Sequence, residues 1–462
     1  MPLRPEAVPG PTRRDVLRAA MAGLALPVVA QLPGCKAGKG TSVVVVGAGA
    51  AGLWAAQLLL DKGFDVTLLE ASDRHGGRIR DDTSLASYPI ELGAEEVHGS
   101  NSVFYSMCAD ANVSFVDESQ TTDRFWMQAS DGAVALHDES VVSTDDALAA
   151  ADQFITDVYA STGDDVTVTT AMDSAAIEDR CRFYVEARVG NEYGSDDDHV
   201  GVVSLADDDA LWSSGPSSYA IADSSILAII ELACSDAWPL VQTGAVVTTL
   251  TSTPSSVTAT LADGSTVTAE FAVLTVSLGV LKAGLITFSP ALSAAKQAAI
   301  AGVGFGHGMK IILAFSTRFW PDDLGSLYGA DHVPELWATG FGRTANPLEL
   351  TAFVMGASAD VLTAAGEGAV ALVLADLDTI FAGAATPAFV ASVVQDWTLE
   401  PFILGSYSFP SPGSSAFRAD LATAEGRVHF AGEATHTSGM YATVHGALET
   451  AERAVQEILD LV

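Results

Sequence analysis

The sequence has few basic residues for its length. Its 462 residues include 22 Lys and Arg against 58 Asp and Glu, which gives a formal net charge of −36. Because like charges repel, this composition disfavours nucleic acid or an anionic membrane surface as a partner. The acidity has two compatible explanations. It suits a surface adapted to high salt or to solubility, and it would also steer a cationic small-molecule substrate into an acidic cleft.

Cysteine is also scarce, with four residues in the whole chain. There is no CxxC pair and no His-rich spacing, so no metal site is predicted. Beyond residue 40 the cysteines are Cys108, Cys181 and Cys234, which are isolated and odd in number. This pattern predicts buried thiols rather than a disulfide framework.

The only signal-like apolar run in the first 40 residues is too short to span a bilayer. Arg13 and Arg14 precede this run at residues 19–32, as in a twin-arginine export signal. The run ends in Leu-Pro-Gly-Cys, similar to a lipoprotein cleavage box that would leave Cys35 as a lipid anchor. The alternative is a plain cut near residues 28–30. We expect residues 1–40 to be an export signal and linker, and the protein to reach the periplasm or cell surface.

Residues 42–69 have the pattern of a βαβ unit. Residues 42–46 contain four consecutive valines, which predicts a strand buried on both faces of a parallel sheet. Residues 53–61 predict a helix closed by Gly63, and residues 64–69 predict a second strand. The length of the chain favours two domains.

The later segments alternate between helical and strand character. Residues 101–238 are helical, irregular and acidic, and we expect the runs 196–198 and 207–209 to be solvated loops. Strands are predicted at residues 245–250, 256–261 and 267–276, with an Asp263–Gly264 hairpin turn. A short strand is predicted at residues 428–433 and a helix at residues 443–461. No transmembrane helix is predicted after residue 40.

The turn at residues 47–52 has the spacing of a dinucleotide-binding motif. Gly47 permits the tight turn after the strand, Gly49 lets the backbone approach a pyrophosphate, and Gly52 allows close helix–strand packing. The following helix would present free N–H groups to the phosphates. Glu70, at the end of the second strand, is placed to accept hydrogen bonds from a ribose, which argues against a 2′-phosphate cofactor.

The segment directly after Glu70 favours FAD over a nicotinamide cofactor. It contains a second glycine pair, Gly76 and Gly77, together with Arg74 and Arg78. These residues would extend the contact with a diphosphate, which enzymes that bind only a nicotinamide cofactor do not need.

Several further short motifs follow along the chain, at residues 91–99, 274–282, 304–310, 319–321, 405–408 and 430–433. Together with residues 47–78 they resemble the flavin-dependent amine oxidase family, which includes monoamine and polyamine oxidases, some L-amino-acid oxidases and lysine demethylases. The resemblance covers residues 41–460 and is strongest to the polyamine-oxidase branch. It implies an α/β fold (α+β overall). A Rossmann-like FAD-binding domain would use residues 41–100, 239–319 and 401–462. An interleaved substrate-binding domain with a mixed sheet and helices would use residues 101–238 and 320–400.

The resemblance also implies a set of FAD-contacting residues. Ser406 stands where monoamine oxidases carry a flavin-linking cysteine, so the FAD is expected to be non-covalent. The implied cofactor-binding residues are Gly47, Gly49, Ala51, Gly52, Glu70, Ala71, Arg74, Gly77, Arg78, Gly93, Ala94, Glu95, Val247, Glu433, Thr443 and Val444.

The resemblance assigns the chemistry to three residues. Lys310 matches the lysine that holds a water at flavin N5, Tyr407 matches one wall of the aromatic cage, and His98 fits the polyamine-oxidase pattern. The opposite cage position is Thr443. With Tyr407, His98 and Thr443, the carboxylate of Glu96 is expected to contact substrate.

The implied reaction is oxidation of the C–N bond of a (poly)amine by hydride transfer to flavin N5. The electron acceptor would be O2, and the products H2O2, an aldehyde and an amine. One alternative is an L-amino-acid oxidase, which needs a cation for the substrate carboxylate; the candidates are Arg124, Arg180, Arg182, Arg188 and Arg343. A non-catalytic FAD-binding protein is a third alternative, against which Lys310 and Tyr407 weigh. Departures from the family pattern at Glu96 and at residues 222–224 and 447–450 leave the substrate open.

Overall fold

A computed structural model describes residues 38, 40–116, 120–130 and 132–462. The predicted export signal with Arg13 and Arg14, and the candidate anchor Cys35, lie outside the described residues. The described chain has the α/β fold expected from its sequence, with helices packed on parallel, antiparallel and mixed sheets.

A five-stranded parallel sheet forms around the four-valine strand. The strand Ser42–Val46 lies in the middle, and its valines are almost completely buried because helices and a second sheet cover both faces. The spatial order of the sheet is Val428–Phe430, Phe271–Leu274, Ser42–Val46, Asp65–Leu69 and Val241–Gln242. These strands come from three distant parts of the chain, as predicted for a split cofactor-binding unit.

The helix Ala50–Lys62 connects the first two parallel strands and completes the predicted βαβ unit. It ends at Gly63, which adopts the left-handed conformation with φ 88° that glycine tolerates best. Its apolar face packs against the last helix, Val444–Leu459, whose N-cap is Thr443. The start of the first helix is therefore fixed against the centre of the sheet.

A four-stranded sheet lies beside the parallel sheet, in the order Thr266–Ala269, Val257–Leu261, Val247–Ser252 and Thr287–Ser289. The Asp263–Gly264 turn is confirmed, since Gly264 has φ +85°. The single strand predicted at residues 267–276 is wrong. The chain leaves this sheet after Ala269 and enters the parallel sheet at Phe271–Leu274, because Glu270 N–H donates to Ser42 O. The short gap at Glu270 concealed this change of sheet, because residues with strand propensity lie on both sides of it.

A seven-stranded sheet forms the other large layer. Its order is Phe389–Asp396, Gly308–Phe315, Glu349–Met355, Glu335–Ala338, Leu324–Tyr328, Thr122–Gln128 and Val134–Asp138. The last two strands were not predicted, since residues 101–238 were expected to be helical and irregular. The strand Gly308–Phe315 is buried along its whole length. This strand belongs to the seven-stranded sheet, although residues 239–319 were predicted to lie in the cofactor domain. The domain boundaries stay a prediction.

The remaining elements are helices and short paired strands. The helices are Val103–Ala111, Ser140–Thr144, Asp146–Val158, Val168–Ser174, Arg182–Glu186, Val202–Asp209, Ile226–Ala233, Leu278–Lys282, Ala294–Gly302, Gly356–Ala365, Ala369–Ile380, Ala385–Ala388 and Phe417–Ala422. A π-helical turn spans Ala187–Asn191. The short strand pairs are Asp81–Asp82 with Ile90–Glu91, Glu96–His98 with Ser218–Ala220, and Gly304–Phe305 with Ser408–Phe409.

One helical stretch of the described chain, Gly356–Ile380, is long and apolar enough by length and composition to cross a membrane. It is broken by a 3-10 turn at Gly366–Gly368. Leu362, Val373 and Leu377 on its two halves pack into the core beside the seven-stranded sheet. These side chains hold one side of the stretch in the core, while 28% of its most apolar window is buried.

The expectation of solvated acidic loops is wrong for residues 207–209, which form the end of the helix Val202–Asp209, and for Asp197, which is buried. Asp197 and Asp208 are only 3% and 4% exposed. Asp197 accepts a hydrogen bond from Gly190 N–H in the π-helical turn, and Asp208 pairs with the buried Arg418 at 3.3 Å. Local charge density could not reveal these tertiary partners. The prediction of buried thiols is confirmed, because Cys108, Cys181 and Cys234 are free and buried.

Candidate active site

A cavity of about 1710 Å³ is lined by residues of both the parallel and the seven-stranded sheets. This exceeds the ~300–1,000 Å³ common for small-molecule sites, so it has room for a large cofactor and a substrate. Every predicted site residue except Gly52 lines it. They are Gly47, Gly49, Ala51, Glu70, Ala71, Arg74, Gly77, Arg78, Gly93, Ala94, Glu95, Glu96, His98, Val247, Lys310, Tyr407, Glu433, Thr443 and Val444. Their individual roles stay predictions.

The two glycine pairs form one bare backbone cradle at the end of the cavity. Gly49 and Gly76 lie side by side in a β-bridge, and a Cβ on Gly77 would lie 3.3 Å from the Cα of Gly49. Gly52 has a packing role behind this cradle, because a Cβ there would lie 1.8 Å from Gly47 O. The absence of side chains and the start of the Ala50–Lys62 helix fit a pyrophosphate.

Glu70 is held in place beside this cradle by the backbone around it. One carboxylate oxygen accepts from Ala48 N–H at 2.8 Å, and the other accepts from Ser72 N–H at 2.9 Å. The second of these oxygens also accepts from Ser72 Oγ at 2.8 Å, so the oxygen bound to Ala48 N–H is the one with a lone pair left for a ligand hydroxyl. The predicted ribose contact is compatible with this arrangement.

Arg78, which is half-buried, and Glu433, which is buried, form an ion pair on the cavity wall. The Nη1 of Arg78 donates to Glu433 Oε1 and to Ser406 O, both at 2.8 Å. Burial would raise the pKa of Glu433, but Arg78 and the hydrogen bond from Ser408 outweigh it and hold that pKa below its usual value. Arg74 instead donates to the carbonyl of Gly77 at 2.9 Å and so supports the second glycine loop.

Lys310 lies in the buried strand Gly308–Phe315, with its ammonium at the cavity. Its Nζ is 2.7 Å from Glu95 Oε2 and 3.3 Å from the carbonyl oxygen of Glu91. The rings of Trp337 and Phe353 lie 5.3 and 5.9 Å from Nζ. The lysine is therefore held as one half of an ion pair beside two aromatic side chains.

Arg343 approaches Glu95 from its other side, with Nη2 3.7 Å from Oε1. Burial would raise the pKa of Glu95, but Lys310 and Arg343 together outweigh that effect and lower it. We call Lys310, Glu95 and Arg343 the charge triad. Glu95 was predicted to contact the cofactor. Its pairing with Arg343 was not predicted, because Arg343 is distant in sequence and belongs to no motif.

The two predicted cage residues, Tyr407 and Thr443, make different hydrogen bonds in the structure. Tyr407 O–H donates to the carbonyl of Glu192 at 2.7 Å, which fixes its ring in the cavity wall. The Oγ1 of Thr443 accepts from Gly446 N–H at 2.9 Å and caps the last helix. The aromatic residue nearby in sequence is Tyr441, which lines the cavity and was missed. Tyr441 lies two residues before Thr443 in the sequence, and this proximity could have identified it as a cavity residue.

His98 lies at the cavity rim with an unpredicted neighbour. Its Nδ1 is 2.9 Å from Ser218 Oγ and 3.5 Å from Glu96. The imidazole of His445 lies 6.4 Å away and is buried. Burial, and then the charge of His98, lowers the pKa of His445 to about 3, so His445 is neutral at physiological pH. Of the two histidines, His98 lines the cavity and is therefore the one placed to contact a ligand.

Three carboxylates line another side of the cavity. We call Glu96, Glu192 and Glu335 the acidic wall. Burial raises the pKa of Glu335 to about 7 despite a 2.6 Å hydrogen bond from Ser326, and burial also raises the pKa of Glu192. Sequence reasoning found only Glu96, because the other two carboxylates reach the cavity through tertiary structure.

The five arginines proposed for a substrate carboxylate differ in position. Arg124, Arg180 and Arg182 pair with acidic residues away from the cavity. Arg188 and Arg343 line it, but each lies 3.7 Å from a glutamate. Among the residues that the structure describes, no group of three or more His, Cys, Asp or Glu could hold a metal ion.

A family model described as flavin-containing amine oxidoreductase matches residues 50–175 and 240–459. Among curated relatives, polyamine oxidase 4 of Oryza sativa subsp. japonica is 27% identical over 438 residues, covering 90% of this chain and 88% of the relative. Lysine-specific histone demethylase 2 of Homo sapiens is 27% identical over 447 residues, covering 90% of this chain and 53% of the relative.

Solved structures share the fold. Wild-type putrescine oxidase bound to putrescine has a TM-score of 0.76 at 21% identity, covering 91% of this chain and 99% of that one. Cyclohexylamine oxidase from Brevibacterium oxydans has a TM-score of 0.74 at 21% identity, covering 90% and 99%. The family match carries the cofactor and the reaction class as well. The chain belongs to the flavin-containing amine oxidoreductases, as a polyamine-oxidase-like enzyme that acts on amines and uses FAD.

Proposed function

We propose that the protein oxidises a C–N bond of a diamine or polyamine. Each turnover consumes one O2 and one water and releases H2O2, an aldehyde and an amine. The observation that carries the proposal is the acidic wall, which lies in the same cavity as Lys310 and Tyr407. A diamine or polyamine matches this cavity, because its reacting nitrogen can lie beside Lys310 and Tyr407 while its second, charged nitrogen lies beside the acidic wall.

The chain's own residues fit FAD without a covalent link. The glycine cradle suits the pyrophosphate, Glu70 suits the ribose, and Arg78 with Glu433 forms a rigid polar wall beside them. Ser406 has no thiol to offer, and its hydroxyl donates to the carbonyls of Gly194 and Gly306 at 3.1 Å. When bound, FAD supplies the hydride acceptor and the route of the electrons to O2.

The two nitrogens of the substrate need opposite environments. The reacting amine must be neutral, although free alkylamines have pKa values of roughly 10. A dry pocket walled by aromatic residues such as Tyr407, Tyr441 and Trp337 disfavours the charged form. The distal ammonium keeps its charge beside the acidic wall. Its presence favours the ionised form of Glu335, so that binding releases a proton from the wall.

A substrate panel tests the proposal. Peroxide release in air is measured with spermidine, with an alkyl monoamine and with an L-amino acid, and kcat/KM is compared. We expect the order polyamine, monoamine, amino acid. A preference for the L-amino acid would contradict the proposal. That reaction needs a free cation for the carboxylate, whereas Arg188 and Arg343 already face glutamates.

We also propose that residues 1–40 direct export of the folded protein to the periplasm or cell surface. The support is the Arg13–Arg14 pair before the apolar run 19–32. Cell fractionation of Arg13→Lys/Arg14→Lys should show retention in the cytoplasm. In the same assay, Cys35→Ser separates the two cleavage alternatives. Release of membrane-bound protein by this change supports a lipid anchor at Cys35, and soluble wild-type protein supports a cut near residues 28–30.

A further inference from the structure

Glu95 contacts two cations at the cavity and is itself shielded from solvent. Its two oxygens lie 2.7 Å from Lys310 Nζ and 3.7 Å from Arg343 Nη2. The side chains are 12%, 4% and 3% exposed, in the order Glu95, Lys310, Arg343. The indole N–H of Trp337 also donates to Glu95. The carboxylate therefore has a close ion pair with Lys310 and a longer one with Arg343.

Glu96, the next residue, differs from Glu95 in both burial and partner. Its side chain is 53% exposed and lies 3.5 Å from His98. Glu96 begins the strand Glu96–His98 and Glu95 precedes it, and the two neighbouring carboxylates line the same cavity in different surroundings. Glu96 is free to meet a substrate cation, whereas Glu95 is committed to Lys310 and Arg343.

The other groups around the triad do not replace this negative charge. Burial raises the pKa of the Glu91 carboxyl to about 8, so it is largely uncharged at neutral pH. Toward Lys310, Glu91 offers its backbone carbonyl. On the side of Arg343, Tyr88 O–H donates to Glu349 at 2.8 Å. Within the described chain, Glu95 is the carboxylate that pairs directly with Lys310.

Arg343 has one unsatisfied group. Its Nη1 is buried without a hydrogen-bond partner, while the side chain lines the cavity. A buried guanidinium with an open donor is costly unless charge nearby compensates it. A purely structural ion pair needs one cation for one anion. Here a second cation faces the same carboxylate, and the triad carries a net charge of +1 into the cofactor cavity.

We propose that Glu95 is the positioning residue for Lys310, keeping its ammonium charged and fixed beside Arg343, and that Arg343 in turn anchors Glu95. Glu95 thus acts on the cofactor site through Lys310, rather than as a ligand of substrate. The inference rests on FAD occupying this cavity and not on the identity of the amine.

Removing the carboxylate charge would leave two buried cations without a shared anion. Arginine does not deprotonate in proteins, so the lysine must release its proton first. An opposite charge within hydrogen-bonding range shifts such an ionisation by roughly 1–3 pH units. Glu95→Gln should therefore move the loss of the Lys310 proton downward by about that amount.

The experiment is a pH titration of the visible spectrum of the oxidised, FAD-loaded protein, without substrate. A charge change at Lys310 beside the flavin alters that spectrum. Glu95→Gln is expected to move any spectral transition downward by roughly 1–3 pH units relative to wild type. Adding Lys310→Met should abolish it, and adding Arg343→Met instead should move it back upward.

Glu96→Gln is the matched control, since it removes an equal charge one residue away. It should leave the spectral titration unchanged and raise the KM for a polyamine. If Glu95→Gln does not fold, Glu95→Asp keeps the charge at a greater distance and should give a smaller shift in the same direction. An unshifted titration in the Glu95 variants, a transition that survives Lys310→Met, or an equal shift in Glu96→Gln would overturn the proposal. None of these outcomes depends on the substrate panel, so the two proposals fail separately.

Discussion

Replacing Glu335 with glutamine removes a titratable charge from the acidic wall while keeping its size and hydrogen bonding. In the unliganded protein, burial raises the pKa of Glu335 to about 7. Because this is an acid with a raised pKa, its neutral form prevails below pH 7 and its charge is gained as the pH rises through that value. The wall should therefore attract a distal ammonium better at pH 8 than at pH 6.

The size of the effect follows from the fraction of Glu335 that is ionised. With a pKa of about 7, that fraction rises from roughly one tenth at pH 6 to roughly nine tenths at pH 8. The reacting amine also deprotonates over this range, but a monoamine of similar basicity shares that change. The ratio of kcat/KM for a polyamine to kcat/KM for the monoamine cancels it. We expect this ratio to rise up to about tenfold in wild type.

The assay is steady-state peroxide release with both amines across this pH range. In Glu335→Gln the ratio should be lower and should lose most of its pH dependence. Glu367→Gln, an exposed carboxylate in the Gly366–Gly368 turn outside the cavity, controls for net charge and should behave as wild type. A ratio that rises equally in wild type and Glu335→Gln would refute the assignment of Glu335 to the distal nitrogen.

Two further predictions concern the cofactor end of the cavity. Arg78→Gln leaves the buried Glu433 carboxylate without its cation. Because Arg78 is itself 25% exposed, the free energy of unfolding should fall by less than the ~3–5 kcal/mol of a fully buried pair. FAD affinity, measured by flavin fluorescence on dilution, should fall, and unchanged affinity would show that the pair does not support the site. Gly52→Ala places a Cβ 1.8 Å from Gly47 O and must displace the cradle, so it should purify with little FAD. Gly368→Ala, whose Cβ would meet nothing closer than 3.9 Å, should retain it.

The cofactor end could be predicted from the sequence because its determinants are local. The strand Ser42–Val46, the glycine turn and the helix Ala50–Lys62 lie within a few residues of each other, and each follows from burial, φ freedom and helix geometry. The second glycine pair is close in sequence as well. Short-range spacing was sufficient to predict that these groups would form one cradle.

The substrate end depends on contacts between distant segments, and the spacing of residues in the sequence does not predict such contacts. Glu192 follows a π-helical turn and Glu335 lies on an inner strand of the seven-stranded sheet, so neither belongs to a motif. Arg343 was one of five candidate arginines, and its burial against Glu95 requires the folded chain. The strands Thr122–Gln128 and Val134–Asp138 were missed because polar and apolar residues do not alternate regularly in them and their neighbours are helical.

In the proposed reaction, a polyamine bound between Lys310 and the acidic wall reduces the FAD. The most direct test of this reaction is the visible flavin absorption after anaerobic addition of spermidine to the FAD-loaded protein. We expect loss of the oxidised flavin band, and its return with release of H2O2 when air is admitted. An oxidised band that persists with spermidine but is lost with an L-amino acid would contradict the proposed reaction.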